Sequence, residues 1–173
     1  DVTARAGAMS FDRNNLLGIS MGTSEAVGFV DAAGNITGWF NELAFMTIDA
    51  NPNAPADEWS GDIGCGVKYL AQDAAIRLAP LAGIQLKEDL TLAEKLVAIQ
   101  EQMEAGNPGA ADVYETIGTY LGHTLALYCE LYGCTSVLLL GRVMSGKGGE
   151  IMLGSARRVL ETEYPEYAQL ELL

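Results

Sequence analysis

Two glycine-rich stretches carry residue types able to hold a phosphate. Gly141-Arg142-Val143-Met144-Ser145-Gly146-Lys147 has two glycines separated by four residues and then a lysine, the spacing of a phosphate-binding loop between a strand and a helix. Gly148 stands where that loop needs a serine or threonine for magnesium, and too few strands follow for the parallel sheet such enzymes use, so the specific match ends there. What remains is a glycine-rich turn whose backbone N–H groups, at a helix start, can meet an anion or a nucleotide. A connection with no ligand is the alternative. Gly22-Thr23-Ser24 offers backbone N–H groups and two hydroxyls that could cradle phosphate. The following Glu25 opposes that reading, because a carboxylate repels phosphate unless a metal lies between them; an ordinary hairpin turn with a polar tip is the plainer one.

The other reactive types are sparse. His123 is the single histidine, which largely excludes His-dependent triads and multi-histidine metal sites and favours a structural or surface role. Cys65, Cys129 and Cys134 are odd in number and lack metal-ligand spacing, so buried reduced thiols are expected rather than a disulfide framework or a zinc knuckle. Glu42, after Trp39-Phe40-Asn41, could hydrogen-bond a polyol at a sheet edge, though a lone carboxylate is more often solvated. Asp57, Glu58 and Asp62 surround an expected helix start, where the helix dipole favours negative charge.

The elements that must position these residues follow from periodicity and breakers. Leu16–Met21, Ala26–Asp31 and Asn35–Phe40 read as strands, with Asp31-Ala32-Ala33-Gly34-Asn35 as a hairpin turn; together they suggest a three-stranded antiparallel meander. Asn51–Asp57, with Pro52 and Pro55, should be an exposed loop. Ile63, Val67, Leu70, Ala74 and Leu78 recur at helical spacing from Ser60 to Pro80. Thr91 and Glu94 fit a capping box opening a helix from Leu92 to Ala105, and Val113, Ile117, Leu121, Leu125 and Tyr128 mark another that ends near Gly133. Val137-Leu138-Leu139-Leu140 suggests a strand buried on both faces. Glu150–Glu163 is the last helix and Gln169–Leu173 a closing strand. The expected class is α/β, a mixed sheet covered by helices, in one domain over residues 1–173.

Composition narrows the function classes. The 173 residues are 49% apolar and carry 23 acidic against 10 basic side chains, a net charge of -13. Such a chain folds rather than staying disordered, and its field repels phosphate backbones and anionic lipid. Nucleic acid and membrane are therefore not expected partners. No apolar run reaches the length of a membrane span and residues 1–6 lack a signal peptide's pattern, so a cytoplasmic protein is expected. The start at aspartate rather than methionine suggests a fragment of something larger.

Taken in order, these pieces resemble the C-terminal half of the ROK family, bacterial sugar kinases and related repressors with the actin-like ATPase (ribonuclease H-like) fold. Asp1-Val2-Thr3-Ala4-Arg5-Ala6-Gly7-Ala8 is similar to the latter part of the family's Asn-Asp-Ala-Asn-Ala-Ala-Ala segment, with Asp1 at the catalytic aspartate. Gly22-Thr23-Ser24 corresponds to its Gly-Thr-Gly phosphate loop. Phe40-Asn41-Glu42-Leu43-Ala44-Phe45 is similar to its Ala-Gly-Glu-Ile-Gly-His sugar motif, Tyr120-Leu121-Gly122 to its long helix, and Leu138 through Glu150 to its adenosine loop, with Gly141 and Gly146. The resemblance implies ATP and magnesium as cofactors, a hexose or N-acetylhexosamine as substrate, and a homodimer. In it, Asp1 takes the proton of a sugar hydroxyl, the Gly22-Thr23 loop with magnesium stabilises the transferring phosphoryl group, and Asn41 and Glu42 bind the sugar. Departures point to a second possibility, a degenerate sugar-sensing or regulatory protein without phosphoryl transfer. Ser24 replaces the third loop glycine and Ala26-Val27 the following pair. Phe45 replaces the zinc-binding histidine, Gly64-Cys65 is the remnant of the cysteine cluster, and Val67 stands near a sugar-contacting glutamate, so zinc is not expected.

Overall fold

The computed structural model describes residues 2–39 and 41–173. Its elements run α1 (Val2–Phe11), β1 (Leu16–Met21), β2 (Glu25–Val30), α2 (Gln72–Leu78), α3 (Leu92–Glu104), α4 (Pro108–Tyr132), β3 (Ser136–Leu140), α5 (Gly146–Glu163) and β4 (Glu171–Leu172), with short 3₁₀ turns between several of them. The sheet is mixed, in the order β2-β1-β3-β4. β1 pairs antiparallel with β2, Ser20 opposite Ala26, and parallel with β3, Ser20 opposite Leu140. β4 continues the parallel part beside β3.

Alternation along β1 explains why both faces are covered. Leu17, Ile19 and Met21 face the main core under α2–α5, whereas Leu16 joins Val30, Leu138, Ala4 and Ala8 on the other face. That second face is closed by α1, whose Ala4, Gly7 and Ala8 are small enough to lie almost on the backbone of the sheet. A methyl added to Gly18 would stand 3.0 Å from the Ala4 Cβ. The Val137–Leu140 run is therefore buried from both sides, as its unbroken apolar character implies.

The helices begin and stop where the chain signals it. Thr91 Oγ1 accepts from the Glu94 N–H while the Glu94 carboxylate accepts from the Thr91 N–H, a complete capping box. Asn107 caps α4 ahead of Pro108, and Gly133, at φ 62°, ends it. Gly118 and Gly122 cost α4 roughly 1 kcal/mol each in helix propensity. Ile117, Leu121 and Leu125 are fully buried beside them, and about 1.5–3 kcal/mol for each buried side chain outweighs that cost. The glycines also bring the helices into contact: an added Cβ at Gly118 would be 2.5 Å from the Met152 carbonyl oxygen, and at Gly122 2.6 Å from Val159 Cβ.

Several local expectations are revised. The third strand of the meander shrinks to one bridge between Val30 and Ile36, and Phe40, its expected last residue, lies outside the described residues. The helix expected from Ser60 begins only at Gln72. Gly61 and Gly64 take positive φ, and the segment is held by bridges between Thr47 and Cys65 and between Ala56 and Ile63. Ile63, Val67 and Leu70 thus have helical spacing without an α-helix, Val67 lying in a 3₁₀ turn over Gly66–Lys68. α1 is an element where strands alone were expected, and α5 starts four residues before Glu150.

Candidate functional site

The parallel pairing of β1 with β3 brings their C-terminal ends side by side, the position where open α/β sheets bind ligands. Two of the predicted segments meet there. The Gly22-Thr23-Ser24 turn joins β1 to β2, its Gly22 N–H donating to the Ser24 carbonyl at 3.0 Å, with Thr23 and Ser24 exposed at the tip. Gly141 follows β3 at φ 107°, so close to β1 that an added Cβ would be 2.2 Å from the Met21 carbonyl oxygen. Only glycine can pass there. From the opposite face, Ala4 in the first turn of α1 lines a small cavity with Ser20, Ala26 and Leu140 at the same end of the sheet. Asp1, the predicted catalytic residue, lies outside the described residues.

The turn is clamped from below. Its Gly22 carbonyl accepts from the Gln72 N–H at 2.8 Å, which ties it to the start of α2. Glu25, expected to oppose phosphate, does not face the turn tip. It is 4% exposed, and its Oε1 accepts from the Tyr128 hydroxyl at 3.0 Å. The same hydroxyl lies 3.3 Å from the Leu43 carbonyl oxygen. The other carboxyl oxygen, Oε2, is buried with no hydrogen-bond partner and would be 2.3 Å from a Cβ added to Gly66. Burial pushes the Glu25 carboxyl up to about 7, against the opposing effect of the Tyr128 hydrogen bond. The Tyr128 hydroxyl is itself raised by burial and by the facing carboxyl. The Tyr128 hydroxyl thus stays protonated and the Glu25 carboxyl is neutral in part around neutral pH, and, being turned away from the tip, it opposes an anion there less than an exposed carboxylate would.

The Glu25–Tyr128–Leu43 contact connects the turn to the segment carrying Asn41 and Glu42. Asn41 Oδ1 accepts from the Tyr132 hydroxyl at 2.9 Å, one helical turn beyond Tyr128 on α4. Tyr132 packs in turn on Trp39 and Phe29, with ring centroids 5.4 and 5.0 Å away. Glu42 is exposed and immediately precedes the 3₁₀ turn Leu43–Phe45. Phe45 lies beside Trp59, their centroids 5.4 Å apart. α4 thus contacts both predicted segments, through Tyr128 at Glu25 and Tyr132 at Asn41.

Gly146 is not brought to the turn. It opens α5 at φ 66° beyond a 3₁₀ turn over Arg142–Met144, and the helix start already faces an anion of the chain itself. The Glu104 carboxylate accepts from the Lys147 N–H at 3.3 Å and pairs with Lys147 Nζ at 3.2 Å. Lys147 holds Glu104 below the usual carboxylate range.

The acidic residues placed at a helix start act otherwise. Asp57 accepts from the N–H groups of Trp59 and Ser60 in a local turn. Glu58 and Asp73 each lie 2.9 Å from Lys68 Nζ, an almost fully buried ammonium. His123 is exposed, its Nδ1 3.0 Å from the Tyr164 hydroxyl. Cys65 is fully buried. Among the described residues no group of three His, Cys, Asp or Glu side chains is placed to hold a metal ion, and no helix is long and apolar enough to cross a membrane.

Glu25 as an inward group was legible in outline, since period-2 alternation puts it on the face of Val27 and Phe29. Tyr128 as its partner and Glu104 at the start of α5 carry no sequence signal, because each depends on how separate helices pack.

No protein-family model matches the sequence, and no curated protein matches it. Solved structures do. A ROK family glucokinase from Streptomyces griseus, in complex with glucose and AMPPNP, aligns at a TM-score of 0.70 and 21% identity, over 91% of this chain and 56% of that one. A ROK family transcriptional regulator, a homologue of the E. coli MLC protein, aligns at 0.75 and 22% identity over 98% of this chain and 44% of the other. A ROK hexokinase from Thermus thermophilus aligns at 0.67 and 19%, over 96% and 59%. The chain spans about half the length of the structures it matches. Its fold is the α/β fold of the ROK proteins, the actin-like ATPase fold.

Proposed function

We propose that this chain is the C-terminal domain of a ROK-type sugar kinase that uses ATP to phosphorylate a hexose or N-acetylhexosamine. The observation that supports this is the convergence of the Gly22–Ser24 turn, Gly141 and the first turn of α1 at one end of the parallel strands. In this reading the turn's N–H groups and hydroxyls receive the phosphates, and Gly141 leaves room beside them for the nucleotide. Glu42 and Asn41 orient the sugar hydroxyls, and Asp1 accepts the proton of the attacking one. No described cluster would hold magnesium independently, so the ion would arrive on the nucleotide's own phosphates and neutralise their charge there. A closing second domain would complete the cleft.

The second reading, a sugar sensor without phosphoryl transfer, has its own support. Glu104 occupies the anion-binding end of α5, Ser24 and Ala26 replace glycines at the turn, and one matched structure is a transcriptional regulator. Under either reading we infer a cytoplasmic homodimer whose acidic surface, with a net charge of -13, disfavours nucleic acid as a partner of this domain.

ATP-coupled assays of the complete protein over a panel of hexoses and N-acetylhexosamines separate the two. Turnover with one sugar is expected. No turnover with any sugar, together with a sugar-dependent rise in melting temperature, overturns the kinase and establishes the sensor.

A further inference from the structure

Cys129, in the last turn of α4, and Cys134, just beyond its Gly133 cap, hold their sulfurs 2.8 Å apart. The contact is made by the turn itself. Gly133 donates its N–H to the Cys129 carbonyl at 2.7 Å and, at φ 62°, folds the chain back so that Cys134 lies over the end of the helix. A disulfide bond is about 2.05 Å long. Closing the gap therefore takes a sulfur displacement below about 1 Å, within the reach of side-chain torsions. Both cysteines are buried, yet both border an open cleft of ≈ 440 Å³ with Glu130, Glu166, Tyr167 and Gln169, through which a small disulfide would reach Cys134. Cys65, in contrast, is fully buried elsewhere in the fold.

We propose that Cys129 and Cys134 are a modification site that forms a reversible internal disulfide by exchange with a neutral or cationic low-molecular-weight disulfide. Cys134 is the more exposed of the two, at 6% against 2%, and the hydrogen bond to the facing sulfur, together with burial, keeps Cys129 protonated. Cys134 therefore reacts first. Its thiolate attacks one sulfur of the small disulfide, giving a mixed disulfide and releasing one thiolate. Cys129 then gives its proton to solvent and attacks the Cys134 sulfur, releasing the second. In sum, two protein thiols are oxidised by two electrons and the small disulfide is reduced to two thiols, which carry the two protons. The charge of the cleft selects the reagent: Glu130 and Glu166 at its wall repel an anionic disulfide and attract a cationic one.

The test uses the complete protein, oxidised with cystamine or with oxidised glutathione at low salt, then denatured, alkylated and digested with trypsin. Leu96–Arg142 is one tryptic peptide and contains both cysteines, whereas Cys65 falls in Asn14–Lys68. The expected result is a Leu96–Arg142 peptide lighter by two hydrogens and not alkylated, restored to two alkyl groups by reductant, with Cys65 alkylated throughout. Oxidation is expected to run faster with cystamine than with oxidised glutathione. Cys134→Ser is expected to give no internal bond. Full alkylation of both residues after cystamine, or a mixed disulfide that never resolves, overturns the dithiol; equal rates with the two reagents overturn the assigned class of oxidant.

Discussion

Replacing Glu25 by glutamine is expected to make the protein more stable at alkaline pH and to flatten its pH dependence. The carboxyl is buried, one oxygen has no partner, and its ordinary value of 4.5 is raised to about 7. A group raised in this way keeps its proton in the fold over a range where the unfolded chain has already lost it. Its contribution is fully present below the unfolded value and is lost as pH rises through the folded one. At about 1.4 kcal/mol per unit, the interval from 4.5 to about 7 corresponds to roughly 3 kcal/mol, most of it lost between pH 5 and pH 8. Glutamine keeps an acceptor for the Tyr128 hydroxyl and never ionises. Urea unfolding followed by circular dichroism, for both proteins from pH 5 to pH 8, isolates this group from the other acidic residues by difference. Near pH 5 the two curves should nearly coincide; at pH 8 the Glu25→Gln protein should be more stable by up to about 3 kcal/mol, a shift of roughly 6–12 °C in Tm. Parallel curves across that range would refute a buried carboxyl that ionises at such cost.

Other expectations are briefer. Gly141→Ala should cost more than about 2 kcal/mol in thermal or urea unfolding, because its Cβ would meet the Met21 carbonyl at 2.2 Å. Gly22→Ala should change stability by less than about 0.5 kcal/mol, since among the described residues its Cβ would meet nothing nearer than the Ser24 oxygen at 4.0 Å; if the turn receives phosphates, the same substitution should weaken ATP binding measured by calorimetry. Thr91→Ala removes the capping box and should cost about 1 kcal/mol. Glu104→Gln removes an exposed pair with Lys147 that contributes little, so thermal unfolding should hardly change.

Legibility in the sequence tracked how local each feature's cause is. The capping box at Thr91 and Glu94 and the Gly133 stop depend on neighbouring residues and were read directly. So was the doubly buried β3, because an unbroken apolar run states its own environment. The segment from Ser60 to Ala71 failed because tertiary bridges from Thr47 and Ala56 override a spacing that is helical on paper. α1 failed for the opposite reason. Its packing relies on Ala4, Gly7 and Ala8 lying against the sheet, and small residues leave no apolar stripe to read. At the site, the order of motifs pointed to the Gly22 turn and Gly141, and the structure made them neighbours. The direction of Glu25 and the place of Glu104 come from helix packing, which spacing along a single chain does not encode.

The near-contact of α4 and α5 at Gly118 and Gly122 has a mechanical consequence. Helices separated by full side chains can slide by exchanging rotamers, but two backbones in touch have no such slack. The pair behaves as one plank. Its α5 end begins just past Gly141 and its α4 carries Tyr128 and Tyr132, so the nucleotide side and the sugar side of the proposed cleft are mounted on a common rigid support. Closure over a ligand must then come from parts that hinge against this plank, and a methyl inserted at either glycine should disturb both halves of the site together rather than one alone.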